Sequence, residues 1–177
     1  WLRPMSALLL RPLGPDDEAQ ARAAHAELAA DDFGFLMFER DGESWPDYVA
    51  RIEGHRRGQG LEERMVASTF LVAEVDGEIV GRASVRHELN DFLATWGGHV
   101  GYGVRPAHRR RGHATAILRG CLEVCREHGI EQALVTCDVD NVGSAAVIEA
   151  CGGVPDGVAP ATESVAAKKR YWVPTGP

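Results

Sequence analysis

The sequence predicts a layered α/β fold whose sheet is antiparallel in part and parallel in part. Two observations carry this prediction. Asp76-Gly77 is a strong hairpin signal between two apolar runs, which indicates antiparallel strands. Farther along, an amphipathic helix over 114–128 lies between two strand-like segments, which is typical of a parallel crossover. The length of 177 residues suits one domain.

The first part of the chain is predicted to hold one strand and two helices. Leu8–Leu10 is a short apolar run and indicates the first strand. An early proline and three acidic residues over 14–18 mark the start of the first helix. Ser44 is predicted to cap the second helix, with Pro46 in its first turn and Asp47 at the capping-box position.

Three strands are predicted in the middle of the chain. Residues 69–75 and 79–85 are rich in apolar and β-branched residues, and they flank the hairpin turn. After a loop through residues 90–97, the segment 99–104 is predicted to be the third strand of this group.

The last part of the chain is predicted to alternate helices and strands. The helix over 114–128 has Gly129 where a C-terminal cap belongs. A buried strand is predicted over 133–137, a short helix over 144–150 and a last strand over 166–173. The apolar face of the long helix is formed at positions i, i+3, i+4 and i+7 by Leu118, Cys121, Leu122 and Cys125.

The charge balance argues against a general nucleic-acid binder. The chain has 19 Lys and Arg residues against 26 Asp and Glu residues, a net charge of −7, whereas nucleic-acid binders usually carry an excess of positive charge. A negative surface mildly favours a cationic small substrate, although such fields affect the association rate more than the identity of the ligand. A nucleic-acid protein acting through the basic residues 108–113 is the alternative, and salt-dependent binding to random DNA tests it.

The sequence also predicts a compartment and the absence of metal and membrane contacts. No apolar run approaches the roughly 18 residues that a membrane helix needs, and the start has no signal-peptide pattern. We therefore expect a cytoplasmic protein. Met5 is a candidate natural start, so we expect a single domain over 5–177, with residues 1–4 as a cloning remnant or a disordered start. No metal site is expected, and reduced, partly buried thiols are predicted for the four cysteines, which form no CxxC pair: Cys121, Cys125, Cys137 and Cys151.

Residues 104–114 are the most informative segment. A predicted strand runs into Pro106, and a basic turn with Gly112 then leads into the long helix. The first N–H groups of a helix lack internal partners and lie at the positive end of its dipole, so a helix start behind a glycine binds anions. The segment therefore predicts a cradle for a phosphate or pyrophosphate. Its donors are the side chains or backbone N–H groups of Arg109, Arg110, Arg111, Gly112, His113 and Ala114.

The same turn carries a family signature. A Walker A loop and the three-glycine Rossmann fingerprint are both absent. Arg109-x-x-Gly112-x-Ala114 instead resembles the Arg/Gln-x-x-Gly-x-Gly/Ala signature of the GNAT superfamily of N-acetyltransferases. In that family this turn binds the pyrophosphate of acetyl-coenzyme A (acetyl-CoA).

A second element of the family follows at the expected distance. Asn141-x-x-Ser144 and Glu149-x-x-Gly152 resemble the family's Asn-x-x-Ser/Ala and Glu-x-x-Gly element. The resemblance covers residues 70–153 well and the N-terminal helices loosely. The strand 99–104 and the later segment 138–141 also look like those of a group of uncharacterised bacterial family members.

The resemblance implies a fold, a reaction and partners. The fold is a GNAT-like mixed, mostly antiparallel central sheet with helices on both faces. Acetyl-CoA donates the acetyl group, and a primary amine of a small molecule or a protein attacks it directly in a ternary complex. A backbone N–H near Gly103 or Val104 polarises the thioester carbonyl, and Asn141 and Ser144 bind the cofactor. Homodimers are common in the family, and the net charge and the lack of a long apolar run lead us to expect neither nucleic acid nor a membrane as a partner.

The catalytic acid and base are predicted less directly. His99 lies within one residue of the glutamate base of several family members, although a structural histidine at a strand end is an equal alternative. Glu74 and His87 are weaker base candidates. The usual family acid is a tyrosine seven residues after the asparagine, and here that position is Ile148. Tyr102 is the predicted substitute, with Tyr171 as the other candidate.

This departure keeps open a catalytically inactive acyl-CoA-binding sensor. Three further alternatives concern single residues. Asn141 is also a good helix cap. Cys137 and Cys151 are acyl-carrying candidates, but buried structural thiols are the expectation. An acceptor pocket or plain core is predicted for the aromatic residues Phe33, Phe35, Phe38, Trp45 and Trp96.

Overall fold

A computed structural model describes residues 7–176, so the predictions for residues 1–4 and for Met5 lie outside the described residues. Within this range the chain forms seven strands and four helices. In chain order they are β1 (Leu9–Arg11), α1 (Glu18–Leu28), α2 (Trp45–Arg56), β2 (Ser68–Val75), β3 (Glu78–Arg86), β4 (Val100–Val104), α3 (His113–Glu127), β5 (Gln132–Asp138), α4 (Val142–Ala150), β6 (Val154–Ala159) and β7 (Lys168–Pro174).

The seven strands form one sheet in the order β1-β2-β3-β4-β5-β7-β6. Neighbours are antiparallel except β4 and β5, which are parallel and are connected by α3. The turn at Asp76-Gly77 joins β2 to β3, and Gly77 has the left-handed φ of 81° that such turns require. The predicted mixed, mostly antiparallel sheet with one parallel crossover is confirmed.

Helices cover both faces of this sheet. On one face, Ile117 and Cys121 of α3 and Ile148 of α4 are fully buried in a core shared with β3, β4, β5 and β7. On the other face, Ala21 of α1 and Tyr48 of α2 belong to a second core with β2 and β3. The apolar face predicted for the long helix is the one that α3 buries.

The start of α2 shows how local sequence sets the elements. The Ser44 hydroxyl accepts a hydrogen bond from the Asp47 N–H at 3.3 Å and donates one to the Asp47 carboxylate at 2.6 Å. Because the first N–H groups of a helix have no internal partners, this cap fixes where α2 begins.

Two elements differ from the sequence prediction. β6 was not predicted, because it is an edge strand in which Pro155 and Gly157 interrupt any alternation and five of the six residues are exposed. The loop predicted over 90–97 contains a π-helical turn, Leu93–Gly97, immediately before β4.

The cysteines agree with their prediction. Cys121, Cys125 and Cys137 are buried, Cys151 is half-buried, and all four are free thiols. Burial raises the pKa of all four, that of Cys125 to about 12. Within residues 7–176, no helix is both long and apolar enough to cross a membrane, and no three potential metal ligands cluster.

Candidate active site

The sheet opens between β4 and β5. These parallel strands pair at one position only, Val100 with Val135. β4 stays paired with β3 as far as Val104, so the opening lies on its β5 side. The strands therefore leave a gap that widens toward their C-terminal ends.

Alternate residues of β4 present their backbone to this gap. The hydrogen bonds from Arg86 N–H to His99 C=O (2.7 Å) and from Arg105 N–H to Val80 C=O (2.8 Å) place the odd-numbered residues against β3. Because hydrogen bonding alternates along a strand, the peptide groups of the even-numbered residues, such as Val104, face the gap.

The turn between β4 and α3 presents a row of unpaired N–H groups. Gly112 precedes α3 with φ 81°, and Arg110 is also left-handed, with φ 62°. The first hydrogen bond into this turn runs from Ala116 N–H to Gly112 C=O at 3.1 Å. Consequently, six consecutive N–H groups, from Arg110 to Thr115, have no hydrogen-bond partner in the described part of the chain. Such an N–H concavity at a helix start is an anion site.

The arginines of this turn divide into two groups. The Arg109 Nε donates to Val104 C=O at 3.0 Å, and its guanidinium also pairs with Asp31. Its side chain therefore ties the turn to the region after α1. Arg110 and Arg111 are exposed and form no ion pair with any residue in 7–176. They are the side chains that a phosphate can recruit without breaking a contact.

Position 103 has to be a glycine because the Phe33 ring approaches it closely from the face of the sheet that carries α1 and α2. A Cβ atom built on Gly103 would lie 2.6 Å from the ring of Phe33, a distance that real Cβ atoms do not show. Gly103 also pairs with Arg82 of β3, so its own N–H is directed away from the gap. Of the two residues predicted to polarise the thioester carbonyl, Val104 is the one whose N–H faces the gap.

Tyr102, Ser144 and Asn141 form a connected group beside the gap. The Tyr102 hydroxyl lies 2.9 Å from Ser144 Oγ, which links β4 to the first turn of α4. Burial raises the pKa of Tyr102 to about 12, so its hydroxyl keeps its proton at neutral pH. Asn141 is the N-cap of α4, and its Oδ1 accepts from Ser144 N–H at 3.0 Å. The alternative of a helix cap is therefore realised for Asn141, and its side-chain NH2 group stays available.

His99 holds β4 and β5 together at the closed end of the gap. Its N–H donates to Leu134 C=O at 2.7 Å, and its Nδ1 accepts from Leu134 N–H at 2.9 Å. A neutral ring in this arrangement carries its proton on Nε2 and has no free lone pair. Burial, with a smaller effect of the nearby Arg86, lowers the pKa of His99. This geometry argues against the predicted base role and favours the structural alternative.

The weaker base and acid candidates lie elsewhere. Glu74 is paired with Arg11 at 2.6 Å on β2, two strands away from β4 in the sheet. The His87 ring stacks on His128 with centroids 3.7 Å apart, and burial lowers its pKa to about 4. The Tyr171 hydroxyl donates to a carboxylate oxygen of α4 at 3.2 Å. Within residues 7–176 none of the three is hydrogen-bonded to Tyr102, although Tyr171 belongs to the core against which Tyr102 packs.

The five aromatic residues predicted for an acceptor pocket or the core lie in different environments. Phe35 and Trp45 are core residues, at 0% and 5% exposure. Trp96 donates through its indole N–H to Pro160 C=O at 2.9 Å. Phe33 packs against Gly103 of β4, whereas Phe38 is exposed. Phe33 is thus the aromatic residue that contacts the strand beside the gap.

The sequence analysis did not predict a role for two arginines that lie on the same face of the sheet as Phe33. Arg82 and Arg86 lie two strand-pleats apart on β3, facing α1 and α2, and Ser84 lies between them. The available signal was a polar i, i+2, i+4 pattern in a strand whose other residues are apolar. Such a pattern usually indicates a solvated face, but here it is buried.

Comparison with known proteins identifies the family. The sequence matches the acetyltransferase (GNAT) family over residues 11–152. The chain belongs to the GNAT acetyltransferase family. This confirms the resemblance found in the motif of the turn before α3. No curated protein matches the sequence.

Solved structures share the fold at low sequence identity. yncA from Salmonella typhimurium, a putative acetyltransferase with its cofactor acetyl-CoA, has a TM-score of 0.62 and 16% identity, and the match covers 96% of this chain and 95% of that one. Mycobacterium smegmatis RimJ in complex with CoA-disulfide has a TM-score of 0.65 and 21% identity, covering 94% and 81%. The microcin C7 self-immunity acetyltransferase MccE, in complex with acetyl-CoA and AMP, has a TM-score of 0.64 and 17% identity, covering 94% and 92%. Acetyl-CoA, the donor that the resemblance implies, is thus the ligand of two of these neighbours.

Proposed function

We propose that this protein transfers the acetyl group of acetyl-CoA to a primary amine of a small molecule or a protein, by direct attack in a ternary complex. The observation that carries the proposal is the row of six unpaired N–H groups, from Arg110 to Thr115, next to the gap between β4 and β5. The family membership and the coenzyme A ligands of the structural neighbours support it.

The residues present fit the donor. A diphosphate needs several N–H donors and positive charge, which the turn before α3 supplies through its backbone and through Arg110 and Arg111. The pantetheine arm is an extended chain of amides. The gap offers it the peptide groups of β4 on one side and the Asn141 side chain on the other.

The carbonyl of the thioester needs a hydrogen-bond donor where negative charge develops. We assign this role to the Val104 N–H, because it faces the gap while Gly103 is paired with β3. A preformed backbone donor of this kind lowers the barrier by about 3 kcal/mol in other acyl-transfer enzymes.

The leaving sulfur needs a proton as its bond to the acetyl carbon breaks. We assign this proton to Tyr102, whose hydroxyl is protonated at neutral pH and is hydrogen-bonded to Ser144. The new bond joins the amine nitrogen to the acetyl carbon as the carbon–sulfur bond breaks; the amine loses its surplus proton to water, and water returns a proton to the Tyr102 phenolate. General acid catalysis of this kind contributes about a hundredfold or more.

Direct attack is favoured over an acyl-enzyme by the state of the thiols. A thiolate is the nucleophilic form. Burial raises the pKa of Cys137 and of Cys151, so both are protonated at neutral pH. Positioning of amine and thioester then supplies most of the rate.

The experiment measures two quantities on one preparation. Release of coenzyme A from acetyl-CoA is followed over a panel of amines, and coenzyme A binding is measured by calorimetry. We expect turnover on at least one amine, and loss of both binding and turnover in Gly112→Asp. Binding without turnover on any amine would instead support the sensor alternative. Cytoplasmic location and a homodimer stay predictions of the sequence.

A further inference from the structure

Two arginines, Arg82 buried and Arg86 half-buried, face the same side of the sheet next to β4. Arg82 and Arg86 lie on the same face of β3 with Ser84 between them, and Arg82 is paired in register with Gly103 of β4. Neighbouring strands lie about 4.8 Å apart, so both guanidinium groups project from the strand next to the one that lines the gap. An acceptor that attacks in this gap lies within one strand of them.

Arg82 is almost completely enclosed, at 5% exposure. One guanidinium nitrogen donates to Gly34 C=O at 2.5 Å, and the group lies 4.1 Å above the ring of Phe33. Its Nε is buried and has no hydrogen-bond partner in the described part of the chain. Burial lowers the pKa of Arg82 to about 9, so the side chain remains cationic at neutral pH.

Arg86 is the more accessible member of the pair. Its guanidinium has one weak protein acceptor, Gly97 C=O at 3.5 Å. It lies directly under Gly101 of β4, because a Cβ atom at Gly101 would be 3.2 Å from its Nη1. Burial lowers the pKa of Arg86 as well. Gly101 thus leaves bare backbone above the Arg86 guanidinium, whereas the Phe33 ring lies between Gly103 and solvent and carries Arg82 on its face.

Neither arginine has a counter-ion among residues 7–176. On the same face of the sheet, carboxylates of α1 and of the segment before α2 are paired with other arginines: Glu43 pairs with Arg51 at 2.6 Å, and Glu27 with Arg105 at 2.6 Å. A buried, unpaired cation is expensive, and two of them on one face repel each other. An oxyanion of a ligand would supply the missing negative charge, and the planar guanidinium group is suited to bind carboxylates and phosphates.

A small crevice lies beside Ser84, the residue between the two arginines on β3. It measures about 10 Å³, room for one water molecule, and it lies between α2, β2 and β3. His55 and Ser84 line it, both 2% exposed, and the His55 Nε2 has no hydrogen-bond partner in the described part of the chain. The residues that line this crevice include no carboxylate, so the polar groups next to Ser84 are neutral.

The geometry points to an acceptor that carries an acid group as well as its amine: Arg82 and Arg86 bind a carboxylate or phosphoryl oxyanion of the acceptor while its amine lies in the gap. This inference rests on the proposed function. It reverses the preference for a cationic substrate that the net charge of −7 favours, because two buried charges beside the reacting atoms outweigh a diffuse surface field.

The first test uses the unaltered protein and matched acceptors. Each proteinogenic amino acid is compared with its amide and its decarboxylated amine, and aminoalkyl phosphonates are compared with the corresponding alkylamines. Charge-assisted hydrogen bonds to a buried arginine predict a kcat/KM about ten- to hundredfold higher for the acid-bearing member of the best set. The two arms distinguish a carboxylate from a phosphoryl site. Equal or better turnover of neutral amines, or of the polycation spermidine, overturns the anion site and leaves the acetyltransferase intact.

The second test uses Arg82→Met and Arg86→Met. Each is expected to raise KM for the acid-bearing acceptor about tenfold or more, and to leave KM for its amide and the affinity for coenzyme A unchanged. Arg126→Met, at an exposed and unpaired arginine near the end of α3, is the matched control and should change nothing. A purely structural role would weaken both acceptors alike, and that result overturns the inference.

Two further outcomes are decisive. Arg82→Lys covers the case in which Arg82→Met fails to fold, and it should keep part of the preference for the acid because it keeps the charge. Coenzyme A binding without turnover on any acceptor overturns the proposed function and this inference together.

Discussion

Substituting Gly112 by aspartate separates folding from donor binding. Gly112 adopts φ 81° at the start of α3, and a Cβ atom there would meet nothing within 4 Å. Aspartate tolerates the left-handed region better than most residues, at a cost of about 1 kcal/mol. A carboxylate at a helix N-terminus recovers about 0.3–1 kcal/mol from the dipole. The free energy of unfolding should therefore change by less than about 1 kcal/mol, a shift in Tm of roughly 2–4 °C or less.

The effect on coenzyme A is expected to be much larger. The new carboxylate lies among the N–H groups that we assign to the diphosphate. Two unit charges about 5 Å apart repel by about 3 kcal/mol at an effective dielectric constant of 20. Even with partial screening by salt, this predicts a Kd at least about a hundredfold higher.

Calorimetry with coenzyme A, on Gly112→Asp and Gly112→Asn in parallel, measures this effect. Asparagine has the same shape and the same tolerance of left-handed backbone, but no charge. We expect the Asn variant to bind within several-fold of the unaltered protein, and the ratio of the two Kd values to shrink as salt rises. Equal Kd values for the Asp and Asn variants, with both proteins folded, would refute the assignment of the diphosphate to this turn.

Four further predictions concern single groups. Arg111→Ala should weaken coenzyme A binding about three- to tenfold and make the binding less dependent on salt. Arg109→Ala should instead lower Tm, because the Arg109 side chain binds Val104 C=O and Asp31. If calorimetry and melting showed the reverse effects for the two variants, the assignment of Arg111 to ligand binding and Arg109 to structure would be contradicted. Tyr102→Phe should lower kcat about tenfold or more and leave KM unchanged. In the unaltered protein, ionisation of Tyr102 should not reduce the rate at neutral pH, because burial raises its pKa to about 12. An unchanged kcat in the variant would show that Tyr102 is not the general acid. His99→Ala should lower Tm and leave the pH dependence of the rate unchanged, because its Nδ1 is already occupied; a flattened profile near neutrality would restore it as the base. Iodoacetamide at neutral pH should leave activity unaffected because the four thiols are protonated, and rapid inactivation with labelling of Cys151 would argue for an acyl-enzyme.

The parts of the site that the sequence predicts well are those made by consecutive residues. The strand, the basic turn and α3 follow one another directly, so the anion site of the turn is visible in the order of residue types. The hairpin at Asp76-Gly77 and the cap at Ser44 are local for the same reason. The geometry of the turn and of the cap depends only on neighbouring residues, so the sequence predicts both.

The parts that escaped prediction depend on residues far apart in the chain. The Nδ1 of His99 is occupied by Leu134, 35 residues away, and the Arg109 side chain by Asp31, 78 residues away. The environment of Arg82 depends on Gly34 and on the register of β3 against β4. A polar residue in a strand faces solvent or core according to what packs on it, and periodicity alone does not decide that.

The position of the diphosphate in a crystal structure of the acetyl-CoA complex is the strongest test of the proposed donor site. We expect diphosphate oxygens within about 3 Å of several N–H groups between Arg110 and Thr115, and the thioester oxygen next to the Val104 N–H. A diphosphate bound elsewhere, with these N–H groups left to water or filled by a side chain of the protein, would contradict the account.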